Sequence, residues 1–126
     1  MKRTMNDVHD GSCAVAATAD VIATKWTPLI VHDLSEGPRR FMHLEHACPG
    51  ISPRTLSERL DMLERQGVVL RRSYPESPPR VEYELTDKGR ALLPIVRAMR
   101  KFGHEWIIPE PSHGLKAAHR RKTATR

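Results

Sequence analysis

The stretch Cys48-Pro49-Gly50-Ile51-Ser52-Pro53-Arg54-Thr55-Leu56-Ser57-Glu58-Arg59-Leu60-Asp61-Met62-Leu63-Glu64-Arg65-Gln66-Gly67 decides the fold. Pro49-Gly50 is a turn dipeptide. Ser52-Pro53 is a helix start. Serine accepts a bond from the first unpaired backbone N–H groups, and proline at the first helical position lacks an N–H that would be unpaired anyway. Gly67 supplies the left-handed residue on which such a helix stops. Between these signals Leu56, Leu60 and Leu63 recur at helical spacing and make one apolar stripe. A helix from Ser52 to Gln66 is predicted.

Working outward, Met42 to Ala47 reads as a short helix, so a short helix, a tight turn and a longer helix follow one another. That order is a helix-turn-helix. Upstream, Lys25 to Leu34 carries Trp26, Leu29, Ile30 and Leu34 on one stripe, with Pro28 in its first turn and Gly37-Pro38 beyond its end. Cys13 to Ala23 is a still earlier helix, with Val15, Ala19 and Ile22 on one face. Downstream, Val68 to Tyr74 and Arg80 to Leu85 read as strands. In the second, Val81, Tyr83 and Leu85 alternate with Glu82 and Glu84. Pro75-Glu76-Ser77-Pro78-Pro79 is a stiff loop between them. Thr86 then caps one long helix to about Trp106, bent at Pro94. The predicted fold is mainly α with a small β-hairpin wing: a winged helix-turn-helix dimerising through its first and last helices. Residues 1–12 are expected to be a flexible start, residues 13–108 the DNA-binding and dimerisation domain, and residues 109–126 a basic, disordered tail.

Charge points the same way once it is divided. The chain of 126 residues carries a net charge of +6, much of it in residues 109–126. Residues 37–80, however, hold eight arginines and no lysine against five acids. Arginine is the better fork for phosphates and guanine edges. No apolar run is long enough for a membrane span, and the first residues lack the apolar core of a signal peptide, so a cytoplasmic protein is expected.

On the Ser52 helix, about 100° per residue places Arg54, Glu58 and Arg65 opposite the leucines, with Thr55 and Ser57 flanking. The first turn of a recognition helix points into the major groove. Ser52, Arg54, Thr55 and Ser57 are therefore the candidate DNA contacts, with Arg59 at the edge of the stripe. Arg80 on the wing and Arg40 before the short helix are further candidates for groove or backbone contact. Glu58 and Asp61 pull the other way, toward an ordinary solvated face or a protein-binding winged helix without DNA. The last helix carries Leu92, Ile95, Val96, Met99, Phe102 and Trp106 on one stripe. With Val15 and Ile22 of the first helix these are the expected dimer interface, since a two-fold dimer matches a palindromic operator in double-stranded DNA.

Enzyme signals are missing from the sequence: there is no Gly-rich phosphate loop, no GxSxG and no HExxH. His43, His46 and Cys48 make an HxxHxC cluster without a fourth ligand, so no metal and no cofactor are expected. A thiol-based redox enzyme is disfavoured by a cysteine that starts a helix with no CxxC partner.

Several fragments, in order, carry a family resemblance. They are Cys13-Ala14-Val15, Lys25-Trp26, Gly37-Pro38-Arg39-Arg40-Phe41, Pro49-Gly50-Ile51-Ser52, Leu56-Ser57-Glu58-Arg59-Leu60, Gly67-Val68-Val69, Pro79-Arg80-Val81-Glu82-Tyr83-Glu84-Leu85-Thr86 and Gly89. Over roughly residues 13 to 106 the chain resembles the HxlR-type winged-helix regulators. The resemblance implies a homodimer on operator DNA, with the Ser52 helix in the major groove and the Pro75–Arg80 loop as wing; a repressor of a nearby gene is the function expected. It also implies a thiol sensor at Cys13, answering to oxidants or electrophiles, with a small-molecule inducer as a further partner. Ala14 stands where the family usually has proline, and Ala23-Thr24 where it usually has Gly-Gly. Cys48 stands at an apolar position, as a small buried hydrophobe.

Overall fold

A computed structural model describes residues 10–109. Its helices are α1 (Asp10–Ile22), α2 (Thr27–Asp33), α3 (Phe41–Ala47), α4 (Pro53–Arg65), α5 (Asp87–Arg90) and α6 (Leu93–Trp106). A 3-10 turn (Leu34–Glu36) follows α2, and the strands β1 (Val69–Tyr74) and β2 (Arg80–Leu85) lie between α4 and α5. The chain forms two compact units that divide between Ala91 and Leu92.

The first unit is a winged helix-turn-helix. Its core is Ile30, Val31 and Leu34 from α2 and the 3-10 turn, Leu44 from α3, Leu56, Leu60 and Leu63 from α4, and Val68, Val69 and Leu85 from the base of the hairpin, all buried. Gly50 (φ +91°) turns the chain between α3 and α4 in a conformation that side chains rarely adopt. Ile51 N–H closes that turn on the Cys48 carbonyl at 3.0 Å. Gly67 (φ +76°) ends α4, and Val68 N–H returns to the Leu63 carbonyl at 2.9 Å, the signature of a left-handed helix stop.

The strands pair antiparallel, with Val69 opposite Leu85 and Tyr74 opposite Arg80. Arg39 adds a bridge on the free edge of β2: its N–H donates to the Tyr83 carbonyl at 2.9 Å and its carbonyl accepts from Tyr83 N–H at 2.8 Å. The Arg39-Arg40 segment thus takes the strand-edge role, which ties α3 to the wing. Thr86 caps α5 by accepting from Gly89 N–H at 3.0 Å. Gly89 is a packing glycine, since a Cβ there would run into the Val68 carbonyl oxygen.

Three boundaries differ from the expectation by more than one residue. First, α1 begins at Asp10, inside the segment expected to be flexible, so Cys13 closes the first turn rather than opening the helix. Second, α2 starts at Thr27 rather than Lys25. Thr24 Oγ1 accepts from Thr27 N–H at 3.1 Å and donates to Thr27 Oγ1 at 3.0 Å, which satisfies a fully buried threonine. Third, the long last helix is two helices. Pro94 has no N–H for the Arg90 carbonyl and its ring would collide with it, so the chain breaks at Ala91-Leu92 and restarts with Pro94 in the first turn of α6. Residues 1–9 and 110–126, most of the expected flexible start and of the basic tail, lie outside the described residues.

The second unit is built on α6, an amphipathic helix. Leu92, Leu93 and Val96 are buried, while Ile95, Met99, Phe102, Trp106, Ile107 and Ile108 are exposed.

Candidate nucleic-acid interface

The first turn of α4 is fixed before it meets anything. Ser52 Oγ accepts from Thr55 N–H at 3.0 Å and donates to Thr55 Oγ1 at 2.9 Å. With the three leucines turned inward, the outer face carries Ser52, Arg54, Ser57 and Glu58 exposed, and Thr55 half-buried. Arg54 is 88% exposed and is held only by its neighbour one turn on, with Nε 3.2 Å from Glu58 Oε2. That pairing accounts for the acid the sequence placed awkwardly on this face. Arg59 is half-buried, and its Nε is buried without a hydrogen-bond partner. Arg40 is exposed at the start of α3, and its carbonyl receives the His43 and Leu44 N–H groups.

The wing is organised differently. Leu70, Arg72, Tyr74, Arg80, Glu82 and Glu84 share one face of the hairpin, because opposite residues in an antiparallel pair point the same way. Arg80 lies within it, only 25% exposed. Its Nε reaches both Glu76 oxygens at 3.2 Å, Nη2 donates to Glu76 Oε2 at 2.8 Å, and Nη1 donates to Glu82 Oε2 at 2.6 Å. The Tyr74 ring covers one guanidinium face, 4.0 Å from centroid to Cζ. Arg72 Nε continues the ladder to Glu84 Oε2 at 2.6 Å. The bond from Arg80 holds the Glu76 carboxyl below the usual carboxylate range, with the Arg80 and Arg40 charges adding to it. The bonds to Glu76 and Glu82 raise Arg80 still further above its already high value.

The remaining expected residues sit elsewhere. Cys13 and Val15 are exposed on α1, and Ile22 is buried. Ala14, Val15, Thr18, Ala19 and Ile22 line an open, mostly apolar groove of about 420 Å³ along that helix. Cys48 is wholly buried; desolvation pushes its thiol up, with the Asp33 charge adding to the effect, so it is a poor thiolate. His43 and His46 are exposed. Among the described residues no group of three His, Cys, Asp or Glu side chains is placed to hold a metal ion. No single helix among those residues is long and apolar enough to cross a membrane.

A cored helix-turn-helix with a hairpin wing and an arginine-bearing outer helix defines the class: a winged-helix transcriptional regulator. Within that class, the chain belongs to the HxlR-like helix-turn-helix family, whose model matches residues 21–111. It is 50% identical over 90 residues to YvaP, an uncharacterized HTH-type transcriptional regulator of Bacillus subtilis, covering 71% of this chain and 83% of that protein. Among solved structures it is similar to the redox regulator HypR in its oxidized form. The identity is 41% and the TM-score 0.70, over 73% of this chain and 95% of that one. It is also similar to the reduced form of the transcriptional regulator YodB from B. subtilis. There the identity is 35% and the TM-score 0.64, over 75% of this chain and 93% of that one.

Sequence reasoning placed Arg80 on the wing but missed its captors. The signal was present: Glu82 and Glu84 alternate with the inward residues of β2 and therefore share a face with Arg72 and Arg80. The reach of Glu76 back from the loop needed the fold.

Proposed function

We propose that this chain is a homodimeric, sequence-specific DNA-binding regulator that acts in the cytoplasm. The observation that carries the reading is the outer face of α4. A capped, rigid helix start presents Ser52, Arg54, Thr55 and Ser57 to solvent beside a wing. Short donors and one long fork at a helix N-terminus suit phosphates and base edges. Arg40 and the wing Arg80 would flank the groove, with Arg59 as a minor contact. The exposed stripe Ile95, Met99, Phe102 and Trp106 of α6 and the exposed Val15 of α1 supply surface for a second copy, while Ile22, Leu92 and Val96 are already buried within one chain. A dimer bound across a palindrome would occlude it, so repression is the expected outcome.

A second reading concerns control. Cys13 is exposed in the first turn of α1, and the chain is similar to a redox regulator. Oxidation or alkylation of Cys13 by oxidants or electrophiles is the corresponding input, and the α1 groove is the place for a small-molecule inducer.

The test is an anisotropy titration against the DNA upstream of the protein's own gene, at stated salt, reduced and after diamide, with Cys13→Ser alongside. Tight, competitor-resistant binding that diamide abolishes only in the wild type supports both readings. Tight binding indifferent to diamide keeps the regulator and removes the sensor. Binding to every genomic fragment no tighter than to random DNA would favour a winged helix that docks protein instead.

A further inference from the structure

We propose that Glu76 is a specificity-determining residue: its carboxylate occupies the Arg80 guanidinium as a phosphate would, and so restrains the wing from binding DNA indiscriminately. The inference deepens the DNA-binding reading above and rests on it.

The geometry sets Arg80 apart from the other candidate contact arginines. Arg54 makes one bond, to an adjacent residue on its own helix, and is 88% exposed. Arg80 offers its donors to two carboxylates from different positions, the loop residue Glu76 and the strand residue Glu82, and its ring-facing side is covered by Tyr74. Glu82 belongs to the strand ladder and is itself mostly covered. Glu76 is the half-exposed partner on the loop, where a phosphate would have to arrive to compete. Charge-assisted, forked pairing of this kind is what arginine offers to phosphate as well as to carboxylate.

The consequence follows from exchange. On an arbitrary duplex, a phosphate contact with Arg80 would replace one ion pair by another and leave a repelled carboxylate beside the backbone, so little is gained. On a site whose groove shape or base edges return further donors and acceptors, the exchange is favourable. A penalty applied to all sequences, and recovered on a few, raises the ratio of specific to non-specific affinity.

The experiment needs no operator. The full chain is titrated into a labelled random-sequence duplex over a potassium chloride series, as wild type, Glu76→Gln, Arg80→Gln and the double variant. Glu76 is on an exposed loop, and the circular dichroism of each variant checks folding. Freed from its partner, Arg80 should tighten binding of Glu76→Gln roughly two- to fivefold, the worth of a surface ion pair. It should also steepen the salt dependence by about 0.9 in the logarithmic slope. In the Arg80→Gln background the Glu76→Gln gain should vanish, which separates release of Arg80 from simple loss of a negative charge. Unchanged or weaker binding by Glu76→Gln overturns the proposal, and shows Arg80 to be a brace for the wing. A full gain that survives Arg80→Gln also overturns it. Absence of duplex binding by the wild type and by Glu76→Gln alike at low salt also overturns it, and is told apart from failure of the DNA-binding reading by the titration on upstream DNA.

Discussion

Helices α4 and α6 carry the same signal in the sequence and meet different fates. Each is amphipathic with a stripe of large apolar residues. On α4 the stripe is used up: Leu56, Leu60 and Leu63 are all buried, and the helix packs against β1. On α6 only Leu93 and Val96 are buried, while Phe102 and Trp106 remain 58% and 57% exposed. Periodicity therefore tells which face of a helix avoids water, but not whether the same chain covers it. A stripe as wide as that of α6, left open, calls for a partner surface, and a second copy is the partner proposed here.

The largest expected effect tests the buried side of this contrast. Leu60→Ala should cost about 2–5 kcal/mol of unfolding free energy in urea, because it leaves a cavity in a packed core. Met99→Ala should change the stability of the isolated protomer by no more than about 0.5 kcal/mol. Equal losses would mean that the α6 stripe is core, and the contrast would fail. Phe102→Glu comes next: it should weaken self-association by about 2 kcal/mol or more, the scale of an aromatic anchor, and shift sedimentation equilibrium toward monomer with the helical signal intact. A wild type that sediments as monomer at every concentration would remove the second copy as the partner.

The outer face of α4 sharpens the comparison further, since it is the polar counterpart of the same buried stripe. Arg54→Ala should weaken operator binding by about 1–3 kcal/mol and relax preference at one base position if it makes a base contact. A uniform loss on all duplexes with a shallower salt slope would make it a phosphate contact. The smallest effect is expected at the cap. Ser52→Ala should cost roughly 1 kcal/mol of stability, since it orphans the Thr55 N–H, with Ser52→Gly costing less.

Much of the first unit was legible because its elements announce their ends. Ser52 and Pro53 at one end and Gly67 at the other bound α4 to within a residue, and the alternation of β2 was visible from Val81 to Leu85. Where the sequence misled, a local rule was outweighed by backbone chemistry or by a distant neighbour. Thr86 and the apolar run beyond it suggested one helix, yet Pro94 breaks it at Ala91-Leu92. Lys25-Trp26 looked helical, yet Thr24 Oγ1 takes the Thr27 N–H and α2 starts only at Thr27. Gly89 gave no sign of its role, which depends on the Val68 carbonyl across the chain. Of the candidate site, the α4 face was readable from helical spacing alone. The confinement of Arg80 by Glu76 was not, since it depends on how a five-residue loop folds back over the strand pair.

The most direct test of the central claim is a footprint of the purified protein on DNA selected from its own genome, with chains per duplex counted by sedimentation. A two-fold dimer reading through α4 predicts two protected half-sites about 10 base pairs apart, related by an inverted repeat and occupied by two chains. Selection that enriches no sequence, or protection of one half-site by one chain, would contradict it.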